Sequence, residues 1–89
     1  MSNSINRLND FEQQAIRSKF PNNTFHFHHY SEETEIVCFS GDNGRLVGIV
    51  SNVEWSGNRE RRTMDFLLDT ISNYVEASKS SSDGSHKNG

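Results

Sequence analysis

The sequence predicts a small α+β domain in the order α-β-β-β-α, a three-stranded antiparallel sheet with two helices packed on one face. Three observations carry that prediction. Apolar residues recur at helical spacing near both ends of the 89-residue chain. Three short stretches between them alternate or run apolar in strand lengths. The links between those stretches are short enough for hairpins, which make neighbouring strands antiparallel.

The elements follow in order. Ile5, Leu8, Phe11, Ala15 and Ile16 fall near one helical stripe. Ser4 is one N-cap candidate; Asn9, followed by Glu12, is another of capping-box type, and the pattern leaves both open. Phe20-Pro21-Asn22-Asn23 ends the segment, because a residue before proline resists helical angles. From Thr24 to Tyr30, Phe25 and Phe27 share one face while Thr24, His26 and His28 share the other. Glu35 to Ser40 is apolar on both faces, with Ile36 and Cys38 opposite Val37 and Phe39, the mark of a central strand. Gly41-Asp42-Asn43-Gly44 is a hairpin loop. Arg45 to Val53 is the third strand, with Val47 and Ile49 alternating against Leu46, Gly48 and Val50; Gly48 marks a bulge or a close approach of the first helix. Met64, Leu67, Leu68, Ile71, Tyr74 and Val75 form a second helical stripe in a helix expected from Asn58 to about Ala77, capped by Ser56 or Asn58. The expected core is Ile5, Leu8, Phe11, Phe25, Phe27, Ile36, Val37, Phe39, Leu46, Val47, Ile49, Val50, Met64, Leu67, Leu68, Ile71 and Val75. Residues 1–77 make one domain. Residues 78–89 hold no large apolar side chain and are expected to be a disordered polar tail.

Size and charge bound the function. A chain of 89 residues carries one modest core, and a homodimer is one way to add buried area. The formal net charge of -3 argues against a general nucleic-acid binder. One cysteine, Cys38, allows no intrachain disulfide. The polar N-terminus has no secretory-signal character, no apolar run reaches the roughly 18 residues of a membrane span, and a cytoplasmic, reducing setting is expected.

The most informative feature is Trp55-Ser56-Gly57-Asn58-Arg59-Glu60-Arg61-Arg62. Read as the opening of the second helix, it places three arginines at the positive end of the macrodipole, where acidic residues are favoured. Such a local conflict is typical of a binding site. Arg59, Arg61 and Arg62, with Trp55 beside them and Arg45 extending the patch, make a candidate surface for an anionic partner. Trp and Arg are also the residues most enriched in interface hot spots. The competing structural reading pairs Arg61 and Arg62 with Asp65 at i+4 and i+3, worth about 0.2–0.5 kcal/mol each.

The element order, with basic residues opening the second helix, resembles the double-stranded-RNA-binding domain from Phe11 to about Val75. That family grips phosphates with lysines at the start of its last helix. The resemblance implies phosphate contacts by Arg59, Arg61 and Arg62. The chain departs from the family in carrying Met64, Leu67 and Leu68 where alanines usually pack, in its loop between the first two strands, and in its acidic balance.

His26 and His28 share a strand face and are weak metal-ligand candidates, with Cys38 or a glutamate as a third ligand. Cys38 as a nucleophile with His26 or His28 as base lacks an orienting group and an oxyanion site, and a small core residue is the simpler reading. No cofactor is implied. The expected function is non-enzymatic: stoichiometric binding of a protein with an acidic surface, in the style of the inhibitors, adaptors and immunity-type factors of phages and mobile elements. Nucleic-acid binding through the same arginines is the alternative.

Overall fold

A computed structural model of the chain describes residues 7–54 and 60–88, with side chains described as far as Lys79. Its elements are α1 (Asp10–Lys19), β1 (Asn23–His29), β2 (Thr34–Ser40), β3 (Leu46–Ser51) and α2 (Met64–Asn88). The strands form one antiparallel sheet in the order β1-β2-β3, the α-β-β-β-α architecture expected from the sequence.

Of the two starts open for α1, Asn9 is the one used. Its side chain accepts from the Glu12 amide at 2.8 Å, and the Glu12 carboxylate accepts from the Asn9 amide at 3.0 Å. This capping box satisfies two of the N–H groups a helix start leaves unpaired. Asp10 and Glu12 in the first turn and Arg17 and Lys19 in the last complement the macrodipole. Leu8 and Ile16 are buried from this segment. Phe11, expected in the core, is 82% exposed. It lies five residues before Ile16, about 140° around the helix, and so faces water.

Register sorts the strands into two faces. Phe25 opposes Cys38 and Phe27 opposes Ile36, while Ile36 opposes Val50 and Cys38 opposes Gly48. These side chains form the core with Leu8, Ile16, Leu67, Ile71 and Val75. On the other face the rows are Thr24, Phe39 and Leu46; then His26, Val37 and Ile49; then His28, Glu35 and Ser51. The register shifts between Cys38 and Phe39, making Val47 the extra residue of a bulge. Strict alternation placed Val47 with Ile49. The bulge instead turns Val47 onto the core and leaves Leu46 with Ile49 on the open face, 57% and 47% exposed. Neither is the core residue the sequence pattern suggested.

Glycine is required at Gly44 and Gly48 among other positions. Gly44 closes the β2–β3 loop at φ 72°, which favours glycine. A Cβ at Gly48 would stand 2.7 Å from the Tyr74 ring, so the close approach expected there is made by α2 and not by α1.

The chief departure is the start of α2. It begins at Met64, and Thr63 caps it by accepting from the Phe66 amide at 3.1 Å. The expected caps Ser56 and Asn58 fall outside the described residues. In place of a helical turn, the described residues on either side pair with each other: Arg62 N donates to Asn52 O, Val53 bridges Arg61, and Glu54 N donates to Glu60 O. The chain therefore leaves β3, pairs with itself as a short antiparallel arm and only then turns into α2. At its far end α2 reaches Asn88, past the expected end at Ala77. Its last buried side chain among those described is Val75.

Candidate functional site

The arm is anchored by two side chains with no exposed surface, Thr34 and Asn52. Asn52 N donates to Thr34 O, and Asn52 Oδ1 accepts from Thr34 N at 2.7 Å. The Thr34 hydroxyl accepts from Leu8 N at 3.0 Å, which ties the approach to α1 onto the same corner. His29 Nδ1 lies 2.9 Å from that hydroxyl. Buried polar groups must be satisfied, and here their partners lock the start of α1, the end of β3 and the entry to α2 together.

That corner fixes Arg61 and Arg62. Arg61 forms an ion pair with Glu12 of α1, not with Asp65. Arg62 sends its guanidinium over the Phe66 ring, 4.8 Å from the centroid. Its Nε is buried and makes no hydrogen bond. A stacked cation of this kind is worth about 0.5–1 kcal/mol when exposed, while an unmade hydrogen bond at a buried donor costs about 1–3 kcal/mol. The Arg62 side chain is thus held in place without being internally satisfied. Phe66 is 52% exposed, and Phe11 precedes the Glu12 that holds Arg61. The sequence reading missed both phenylalanines as surface residues. Their spacing from Ile16 and Leu67 was the available signal.

Of the five sequence-predicted residues, the three that are described do not form one patch. Arg61 and Arg62 lie at the Thr34 end of the sheet. Arg45 lies beside Ser40 at the other end of β2, six residues and about 20 Å away. Trp55 and Arg59 lie outside the described residues. The charges around Arg61 and Arg62 are mixed, because Glu12 is bonded to Arg61 and Glu54, Glu60 and Asp65 are close in the chain.

The remaining candidates separate. His26 meets the Phe39 ring edge to face, with centroids 5.2 Å apart, on the open side of the sheet. Cys38 is buried on the core side, opposite Phe25. The sheet therefore stands between Cys38 and both His26 and His28, and neither a shared metal site nor a thiol–imidazole pair is formed by them. Burial pushes the Cys38 thiol up to about 11, away from nucleophilic character. Among the described residues, no three His, Cys, Asp or Glu side chains are grouped to hold a metal ion, and no helix is long and apolar enough to cross a membrane.

The element order is the one that resembles the double-stranded-RNA-binding domain. Arg61 and Arg62, however, precede the first turn of α2 that carries the lysines in that family. No protein-family model, curated protein or solved structure matches the chain.

Proposed function

We propose that this chain is a non-enzymatic protein-binding factor of inhibitor, adaptor or immunity type, and that it engages its partner through the corner built by Arg61, Arg62 and Phe66. The observation that carries the reading is Arg62. A cation stacked on a half-exposed ring, with one buried N–H left unpaired, is a rigid aromatic-and-arginine anchor of the kind that dominates protein interfaces. Trp55 and Arg59, carried between Glu54 and Glu60, belong to the same proposed contact by sequence. An acidic group on the partner suits Arg62, whereas Arg61 is already neutralised by Glu12.

Protein is favoured over nucleic acid because Glu12, Glu54, Glu60 and Asp65 sit close to the arginines in the fold or in the chain, and phosphates would meet them with repulsion. A photo-crosslinking amino acid at position 66, introduced in cells that express the protein, tests the proposal. One discrete protein adduct is expected, lost when R62A is added, with no such adduct from position 49 on the open sheet face. Equal labelling from both positions would count against it. Duplex RNA binding with a steep salt dependence that is lost in R61A/R62A would replace it with the nucleic-acid reading.

A further inference from the structure

The loop between β2 and β3 carries the pair Asn43-Gly44, at the end of the sheet away from Arg61 and Arg62. Both residues are exposed. Of the asparagines with described side chains, only Asn43 is followed by glycine. Glycine has no Cβ to shield its nitrogen, and the space around Gly44 is open: an added Cβ would meet nothing within 4 Å. Two hydrogen bonds hold the pair. Asn43 Oδ1 accepts from Arg45 N at 3.0 Å, and Gly44 N donates to Ser40 O at 2.9 Å. The stem beneath them is closed by Ser40 N, which donates to Arg45 O at 2.8 Å.

We propose that Asn43 is a site of self-modification, converted through a cyclic imide to aspartate and isoaspartate, and that the two loop hydrogen bonds set its rate. Asparagine is among the thermally labile side chains. The Gly44 backbone nitrogen, its proton lost to solvent base, attacks Asn43 Cγ. The N–Cγ bond forms and the side-chain nitrogen leaves as ammonia, which closes a five-membered imide. Water then adds to one of the two imide carbonyls. Breaking the N–Cγ bond gives aspartate; breaking the original peptide bond gives isoaspartate, whose main chain runs through Cβ and Cγ. The sum is asparagine plus water to acid plus ammonia, with no oxidant or reductant. Attack requires Gly44 N to leave Ser40 O and the Asn43 side chain to turn away from Arg45 N, so the reaction proceeds from a local opening of the loop. Either product adds a negative charge beside Asp42. Aspartate keeps the backbone length, and its carboxylate still accepts from Arg45 N. Isoaspartate lengthens the main chain above a fixed stem, so the Gly44–Ser40 and Arg45–Asn43 bonds cannot both be kept.

Incubation of the full chain at mildly alkaline pH, in native buffer and in urea, followed by peptide mapping and mass spectrometry, tests the proposal. Asn43 should gain the mass of an amide-to-acid exchange in both conditions, ahead of Asn22, Asn23 and Asn73. Conversion should be about tenfold slower in native buffer, the cost of opening two exposed hydrogen bonds. A protease that cuts before aspartate should cleave part of the product and leave the isoaspartyl part intact. Amide hydrogen exchange at Gly44 and Arg45 should be faster in the isoaspartyl protein than in N43D, which carries the same charge on an unaltered backbone. No conversion in native buffer by the time the urea sample is fully converted would overturn the proposal. So would equal rates in the two conditions, or N43D exchanging as fast as the isoaspartyl form.

Discussion

Individual residues decide more here than their number suggests. Asn52 and Thr34 are buried polar side chains whose hydrogen bonds hold three segments at one corner. Asn52→Ala leaves the buried Thr34 N–H without its side-chain partner. It should cost about 1–3 kcal/mol by urea denaturation, the penalty of a buried donor left unsatisfied. A cost under about 0.5 kcal/mol, the level of an ordinary surface change, would show that the corner is not the anchor described. Cys38 makes a second prediction. Its thiol is raised by burial to about 11, so the folded state keeps its proton where an unfolded chain, with a thiol near 8.5–9, loses it. The thiol's contribution is complete below about pH 8.5 and declines as pH rises towards 11. At neutral pH a maleimide should react far more slowly with folded protein than with protein in urea. Equal rates would contradict the placement of Cys38 in the core.

At the scale of elements, the strands were legible and the entry to α2 was not. Alternation in Thr24–Tyr30 and apolar residues on both faces of Glu35–Ser40 are local properties, and the observed register keeps their faces. The bulge at Val47 depends on which residue β2 offers opposite it, so alternation alone misplaced Val47 and Leu46. Likewise the helical stripe correctly named Leu67, Ile71 and Val75, but nothing local announces that Val53 pairs with Arg61. Local pattern favours a helix start near Asn58 because Ser56 and Asn58 are good caps. Thr63 is an equally good cap, and the β-arm made it the one used. With the arginines ahead of the helix, the conflict with the macrodipole disappears. Their case for binding rests instead on how Arg62 is held. The far end of α2 supports another prediction. No large apolar side chain follows Val75, and helical hydrogen bonds without packing are marginal. Ending the chain after Ser78 should leave the melting temperature within about 2 °C, a shift well under 1 kcal/mol for a domain this size. A drop above 5 °C would assign the terminal segment a packing role.

The whole molecule offers two surfaces at different places. One is the corner where Arg61 of the β-arm pairs with Glu12 of α1 and Arg62 stacks on Phe66 of α2. The other is the sheet face opposite the helices, where Leu46 and Ile49 are about half exposed. The sequence placed Arg45 with the other arginines because charge is visible in one dimension and distance is not. It placed Phe11 in the core because an apolar residue near a helical stripe is usually buried, and only the position of Ile16 fixes which side of α1 faces inward. Separate surfaces make the account separable by mutation. The most direct measurement is titration calorimetry of the crosslinked protein partner, once isolated, with wild type, R62A, F66A and L46E/I49E. The account predicts at least tenfold weaker binding for R62A and for F66A, equivalent to about 1.4 kcal/mol or more, and wild-type affinity for L46E/I49E. Unchanged affinity in R62A and F66A, or a loss confined to L46E/I49E, would contradict it.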